Sequence, residues 1–205
     1  MASEWADSDR VTEYLSREIP HRGTAEELLL AALPDRVDRF LDLGTGDGRL
    51  LRLVHGRYPS ALGVGVDSSK PMLDRAADLL GDDSALELRM RDLASPLAET
   101  GPYEAVVSGL ALHHLEDERK RQLFGEVHGL LVPGGVFANL DLVRSPTQQL
   151  HERFRREIGR VEDDPSDRLA DLFEQMEWLC GVGFAEVDCH FKWLELALTV
   201  AVKGP

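Results

Sequence analysis

An α/β fold, with a largely parallel sheet covered by helices on both faces, is the class this chain predicts, and three observations carry it. From Arg39 onward short apolar runs alternate with amphipathic helical stretches, the rhythm of parallel strands joined by helical crossovers. The first apolar run leads through a glycine-rich turn into a helix, Leu41-Asp42-Leu43-Gly44-Thr45-Gly46-Asp47-Gly48-Arg49-Leu50. Carboxylates then recur at the ends of the next two runs, at Asp67 and Asp92, where open α/β sheets bind their ligands. Length agrees: 205 residues, 43% of them hydrophobic, suffice for one domain with a full core.

In chain order, residues 9–18 and 24–33 are expected to be helices separated around Pro20-His21-Arg22-Gly23, where proline forbids continuation. Strands are expected at 40–43, 61–66, 86–90, 105–108 and 135–142, each a short apolar run bounded by turn residues. Helices fall between them at 49–57, 71–80 and 117–131, the last stopped by Pro133-Gly134-Gly135. Two further helices, at 148–159 and 166–180, precede runs at 185–190 and 195–202 that are close enough to pair as an antiparallel hairpin on the sheet edge.

Charge removes one class of partner. The 23 basic and 37 acidic residues leave a net charge of −14 and a pI near 4.9, the wrong field for holding a phosphate backbone. Nucleic acid is disfavoured and a small-molecule substrate preferred. Cys180 and Cys189 have no spacing for a disulfide framework or a zinc knuckle, and His21, His55, His128, His151 and His190 form no ligand pattern, so no metal is expected. No apolar run reaches the ~18 residues of a membrane span, and Met1-Ala-Ser-Glu-Trp lacks a basic, apolar leader. A soluble cytoplasmic protein is expected, with oligomeric state open to a homodimer.

The glycine turn decides the ligand. Glycines at alternate positions supply positive φ and let a ligand approach the backbone. A dinucleotide turn needs Gly-x-Gly-x-x-Gly, but the spacing here is Gly44-x-Gly46-x-Gly48, with Arg49 where the last glycine would stand. Asp42 and Asp47 would repel a pyrophosphate, yet they suit a ligand carrying an ammonium or sulfonium, as S-adenosylmethionine does. Asp67, nineteen residues after Gly48, is placed to accept from both ribose hydroxyls. Its competing role is to start the helix at Ser68-Ser69-Lys70-Pro71. Asp92 could accept from an adenine amino group with Leu93 packed on the ring, or cap a following helix.

With these residues the chain resembles the class I S-adenosylmethionine-dependent methyltransferases from about Arg39 to Leu142. The matching pieces are the Asp42–Gly48 loop, Asp67 with Ser68 and Met72, Arg91-Asp92-Leu93, Tyr103-Glu104-Ala105-Val106-Val107-Ser108 and Leu130-Leu131-Val132-Pro133-Gly134-Gly135. The resemblance implies a three-layer α-β-α fold whose seven-stranded, mostly parallel sheet has an antiparallel last strand, preceded by lid helices. One domain spans 1–205: a lid at 1–36, a cofactor core at 37–142, then helices and a hairpin at 143–205. It implies S-adenosylmethionine held by Asp42, Gly44, Gly46, Gly48, Asp67, Ser68, Met72, Asp92, Leu93 and Ser108. Residues 187–193 look like members acting on wobble uridine or small molecules, including the synthase of a modified cofactor.

Methyl transfer is an in-line displacement that asks mainly for alignment, desolvation and, for some acceptors, a base. His113 and His114 follow the fourth strand, beside the methyl in this family, and either could take a proton near neutral pH. The competing role is packing under the sheet. Trp5, Tyr14 and Arg22 in the lid, and Asp141 at the end of the fifth strand, are expected on the substrate side. Arg153, Arg156 and Arg160 share a helical face, which Glu152, Glu157 and Glu162-Asp163-Asp164 can neutralise. Two other classes remain: a nicotinamide oxidoreductase, opposed by Arg49, and a cofactor-binding protein without turnover.

Overall fold

The computed structural model describes residues 19–205; the helix expected at 9–18, with Trp5 and Tyr14, lies outside the described residues. The chain runs α1 (Arg22–Ala32), β1 (Arg39–Leu43), α2 (Arg49–Arg57), β2 (Leu62–Asp67), α3 (Lys70–Leu80), β3 (Leu86–Met90) and β4 (Tyr103–Gly109). A 3-10 turn (Leu112–His114) follows, then α4 (Asp117–Leu130), β5 (Leu131–Leu142), α5 (Gln148–Glu157), α6 (Leu172–Gly181), β6 (Phe184–Trp193) and β7 (Leu196–Lys203). The seven strands form one sheet in the order β3-β2-β1-β4-β5-β7-β6. Strands β1 to β5 pair in parallel, and β7, the last strand, runs antiparallel to both β5 and β6.

Alternation along each strand splits the core into two layers. Phe40, Ala105 and Val107 face one side with Leu29 of α1 and Leu51 and Val54 of α2. Leu41, Leu43 and Val106 face the other, against Leu123, Phe124 and Val127 of α4 and Leu179 of α6. This double burial is why β1 and β4 carry consecutive apolar residues, Phe40-Leu41 and Ala105-Val106-Val107, rather than a strict alternation.

Several boundaries differ from expectation. The helix α1 starts at Arg22, because the chain turns at His21 (φ 66°) rather than after it. Its Ala25, Leu29 and Leu33 are buried in the main core, so this part of the expected lid is a structural element on one face, although Arg22 also borders the cavity described below. The helix α4 ends at Leu130, and Leu131 already pairs with Tyr103; the register then slips before Ala105 meets Val136. Pro133-Gly134-Gly135 lies within that slip, where a residue without an N–H costs no ladder bond. The helix expected at 166–180 begins only at Leu172: Asp171 accepts from the Phe173 and Glu174 amides, while Asp164 folds the preceding segment by accepting from the Ser166 amide and hydroxyl. Among the described residues no helix is long and apolar enough to cross a membrane.

Candidate active site

The loop between β1 and α2 is built by positive φ at Gly44 (69°), Gly46 (55°) and Gly48 (81°). The Gly44 and Thr45 amides donate to the Val66 carbonyl at 2.8 and 2.9 Å, folding the loop over the end of β2. A Cβ on Gly44 would lie 2.3 Å from that of Ala111, whereas one on Gly46 would meet nothing within 4 Å. The first glycine therefore serves chain-to-chain approach, and the second leaves its face open to a ligand.

Asp67 joins the loop to α3. Its Oδ2 accepts from the Gly46 amide at 2.9 Å and its Oδ1 from the Ser69 amide at 2.8 Å. Burial raises its pKa against the pull of those amides. The cap of α3 is Ser69, whose Oγ accepts from Met72 N, so Asp67 is not spent as the cap. Asp92 at the end of β3 accepts from the Ala94 amide at 2.9 Å; no helix follows it, so the alternative of an N-cap gives way to a local turn.

These pieces line one cavity of about 710 Å³, within the size range of small-molecule sites. Gly44, Gly46, Ser68, Met72, Asp92 and Leu93 all face it, as does Asp67. Three expected contacts are corrected. Asp42 is fully buried beneath the loop, where the Thr45 hydroxyl donates to its Oδ2 at 2.7 Å, and Ser108 is buried with its hydroxyl donating to the Leu43 carbonyl at 2.8 Å. Both brace the cavity floor from below rather than bordering it. Gly48 supports the loop against Ala76 and likewise does not face the cavity.

The opposite end of the cavity carries His113 and His114. Leu110, at φ 56°, turns the chain out of β4 and into the 3-10 turn that bears them. Both rings lie at the wall, their centroids 4.0 Å apart, which excludes simple packing under the sheet. His113 Nδ1 is 2.5 Å from Asp141 Oδ1, and Asp141 is 3% exposed. The expectation that Asp141 meets substrate is therefore corrected: it does not border the cavity and acts on the imidazole. Burial works to lower the His113 pKa, but Asp141, with Asp167 beyond it, outweighs burial and raises it.

The segment between α5 and α6 closes this end. The Arg168 amide donates to the His113 carbonyl at 2.7 Å, Lys120 Nζ donates to the Arg168 carbonyl, and His114 Nδ1 lies 3.3 Å from the Ser166 carbonyl. Asp167 Oδ1 comes within 3.7 Å of His113 Nε2 and 3.8 Å of His114 Nδ1. Arg160, expected on a solvated helical face, lies past the end of α5, borders the cavity and pairs with Asp167 at 3.1 Å and Asp164 at 3.6 Å. On the α1 side the buried Glu26 is held by Arg22 at 2.8 Å and by both prongs of Arg49 at 2.8 and 2.6 Å. Burial alone would raise the Glu26 pKa; Arg49 and Arg22 carry it below its ordinary value. Sequence analysis passed over Glu26, Arg49 and Asp167 as site residues. Only Arg49 left a signal, as the residue that breaks the dinucleotide pattern.

Comparison with known proteins shows what the chain is similar to. A family model described as a methyltransferase domain matches residues 40–135. An uncharacterised methyltransferase of Mycobacterium tuberculosis is 34% identical over 118 residues, covering 58% of this chain and 57% of that protein; the chain thus spans little more than half that relative's length. A carboxy-S-adenosyl-L-methionine synthase of Wolinella succinogenes is 28% identical, covering 94% of this chain and 89% of that protein. Among solved structures, an S-adenosylmethionine-dependent methyltransferase from Mesorhizobium loti superposes with a TM-score of 0.67 at 24% identity, covering 88% of this chain and 99% of that one.

Proposed function

Because a methyltransferase-domain model matches residues 40–135 and the fold is that of S-adenosylmethionine-dependent methyltransferases, we propose that the chain transfers a methyl group to a small-molecule acceptor bound between the glycine loop and His113. One observation carries this: a single cavity runs from the open face of Gly46 and the half-buried carboxylate of Asp67 to His113, which Asp141 holds from behind. S-adenosylmethionine supplies, when bound, an electrophilic methyl on a sulfonium. Asp67 accepts from the ribose hydroxyls, Asp92 and Leu93 border the adenine, and Gly46 leaves room against the loop. Arg22 and Arg49, sharing one carboxylate partner in Glu26, both border the cavity and can offer guanidinium N–H groups to a carboxylate ligand, with Asp47 moderating the charge on Arg49. His113 receives the acceptor's proton at Nε2, because Asp141 holds the proton of Nδ1 and fixes the ring. The first test is calorimetric titration with S-adenosylmethionine. Asp67→Ala removes up to two charge-assisted bonds of about 1.5–3 kcal/mol each, so affinity should fall at least about tenfold; unchanged affinity removes Asp67 from the ribose.

The Wolinella likeness favours a second reading, in which the product is a modified sulfonium cofactor rather than a methylated acceptor. Mass spectrometry of the adenosine-containing products separates the two. S-adenosylhomocysteine means transfer, whereas a carboxylated sulfonium means cofactor synthesis.

A further inference from the structure

We propose that His113, His114 and Asp167 form a binding site for one divalent transition-metal ion at the acceptor end of the cavity. Their ligand atoms lie within 4.8 Å of one another, and the closest approaches to Asp167 Oδ1 are 3.7 Å from His113 Nε2 and 3.8 Å from His114 Nδ1. Tetrahedral ligands at ordinary zinc bond lengths stand roughly 3.3 Å apart, so each imidazole nitrogen needs to close on Asp167 by only a few tenths of an ångström, while the two nitrogens start within 4.8 Å of each other and are brought together by rotation of the rings. Asp167 Oδ1 is buried and accepts no hydrogen bond among the described residues, whereas its Oδ2 is engaged by Arg160. One carboxylate oxygen is thus left facing two imidazoles.

The support behind His113 is that of a metal ligand. A metal-binding histidine usually gives its other ring N–H to a carboxylate, which fixes the tautomer and raises its basicity; Asp141 stands 2.5 Å from His113 Nδ1. Charge points the same way. Asp141, Asp164 and Asp167 gather three negative charges around the two rings, and Arg160 returns one positive charge. Among the described residues the carboxylates beside the rings outnumber the guanidinium that pairs with them, an imbalance that a divalent ion would offset. Binding at His114 Nδ1 places that ring's proton on Nε2 and replaces the longer contacts to Ser166. Two histidines and one carboxylate suit zinc, iron, cobalt or nickel better than magnesium or calcium, which take oxygen ligands. Because both rings border the cavity, the remaining coordination positions open toward the acceptor. This rests on the proposed methyl transfer and replaces His113 as its base: an ion there occupies the lone pair of His113 Nε2, and an acceptor hydroxyl coordinated to it loses its proton to solvent water more easily.

The test is titration of chelator-treated protein with Co²⁺, followed by visible absorption and by calorimetry without S-adenosylmethionine. We expect one ion per chain with a spectrum typical of mixed nitrogen and oxygen ligands, displaced by Zn²⁺. Asp167→Ala should abolish binding, Asp141→Asn should weaken it by about 10–100-fold as loss of a supporting carboxylate does, and Arg160→Met should strengthen it by removing the competing cation. Thermal melts of each variant check folding, and Arg160→Met guards against an Asp167→Ala chain that does not fold. Absence of Co²⁺ and Zn²⁺ binding in the parent, or equal binding in Asp167→Ala, overturns the site. S-adenosylmethionine titration of the same chelated sample reports separately on the methyl-transfer reading, which stands if cofactor binds and metal does not.

Discussion

Asp42 is a carboxyl group kept where water cannot reach it. Burial is the chief cause that pushes its pKa from an ordinary 3.8 up to about 7, with the charge of nearby Asp67 adding to it and the Thr45 hydroxyl opposing. A folded-state pKa above the unfolded one means the native state holds the proton more tightly. Stability from this group is therefore full below about pH 3.8 and is lost as pH rises toward about 7. Asp42→Asn keeps an acceptor for Thr45 and has no proton to lose. Urea melts across this range should show the variant matching the parent near pH 4 and gaining on it up to neutrality; parallel curves would falsify the assignment. At the other end of the cavity, His113→Ala should lower kcat by about 10²–10⁴ while leaving S-adenosylmethionine affinity close to the parent's. This holds whether the imidazole takes the proton itself or holds an ion that eases its loss to water. An equal loss of cofactor affinity would mean that the ring braces the fold.

At the level of elements, the joint between the glycine loop and the turn after β4 is the tightest contact near the cavity. Gly44→Ala would set its Cβ 2.3 Å from that of Ala111 and ask alanine to hold φ 69°, so both sterics and backbone oppose it. We expect a lower melting temperature together with lost cofactor binding, and Ala111→Gly in the same chain should restore part of both. Failure of that second change to help would locate the strain elsewhere. The same joint shows what a sequence displays and what it conceals. Gly44, Gly46, Asp67 and Asp92 announce themselves because a strand-end turn has few chemical solutions, and parallel strands buried on both faces are audible as apolar runs. Asp42 and Ser108 were misplaced by one layer, since motif position does not say whether a side chain points up or down. Asp167 carried no local signal at all. It reaches the histidines only because the Arg168 amide finds the carbonyl of His113, across more than fifty residues of chain.

Over the whole molecule, α1 ties the cavity to the core. Leu29 has no exposure, and the same helix carries Glu26, the shared partner of Arg22 and Arg49. Leu29→Ala should cost about 2–5 kcal/mol, as truncations of buried leucine do. Because Glu26 is on that helix, part of the loss should be recovered when S-adenosylmethionine is added, through binding to the native state alone. Thermal melts with and without cofactor measure both; an unchanged melting temperature would mean that α1 is a detachable cover after all.

The position of β7 has a consequence for how the chain is made. It is the last strand in sequence but an interior one in space, hydrogen-bonded to β5 on one side and β6 on the other. During synthesis every strand through β6 emerges while the slot between β5 and β6 is empty, and β5 presents an open edge that another nascent chain could pair with. Completion of the sheet thus waits for residues 196–203, and β5 keeps an edge open to foreign pairing until that strand enters between it and β6.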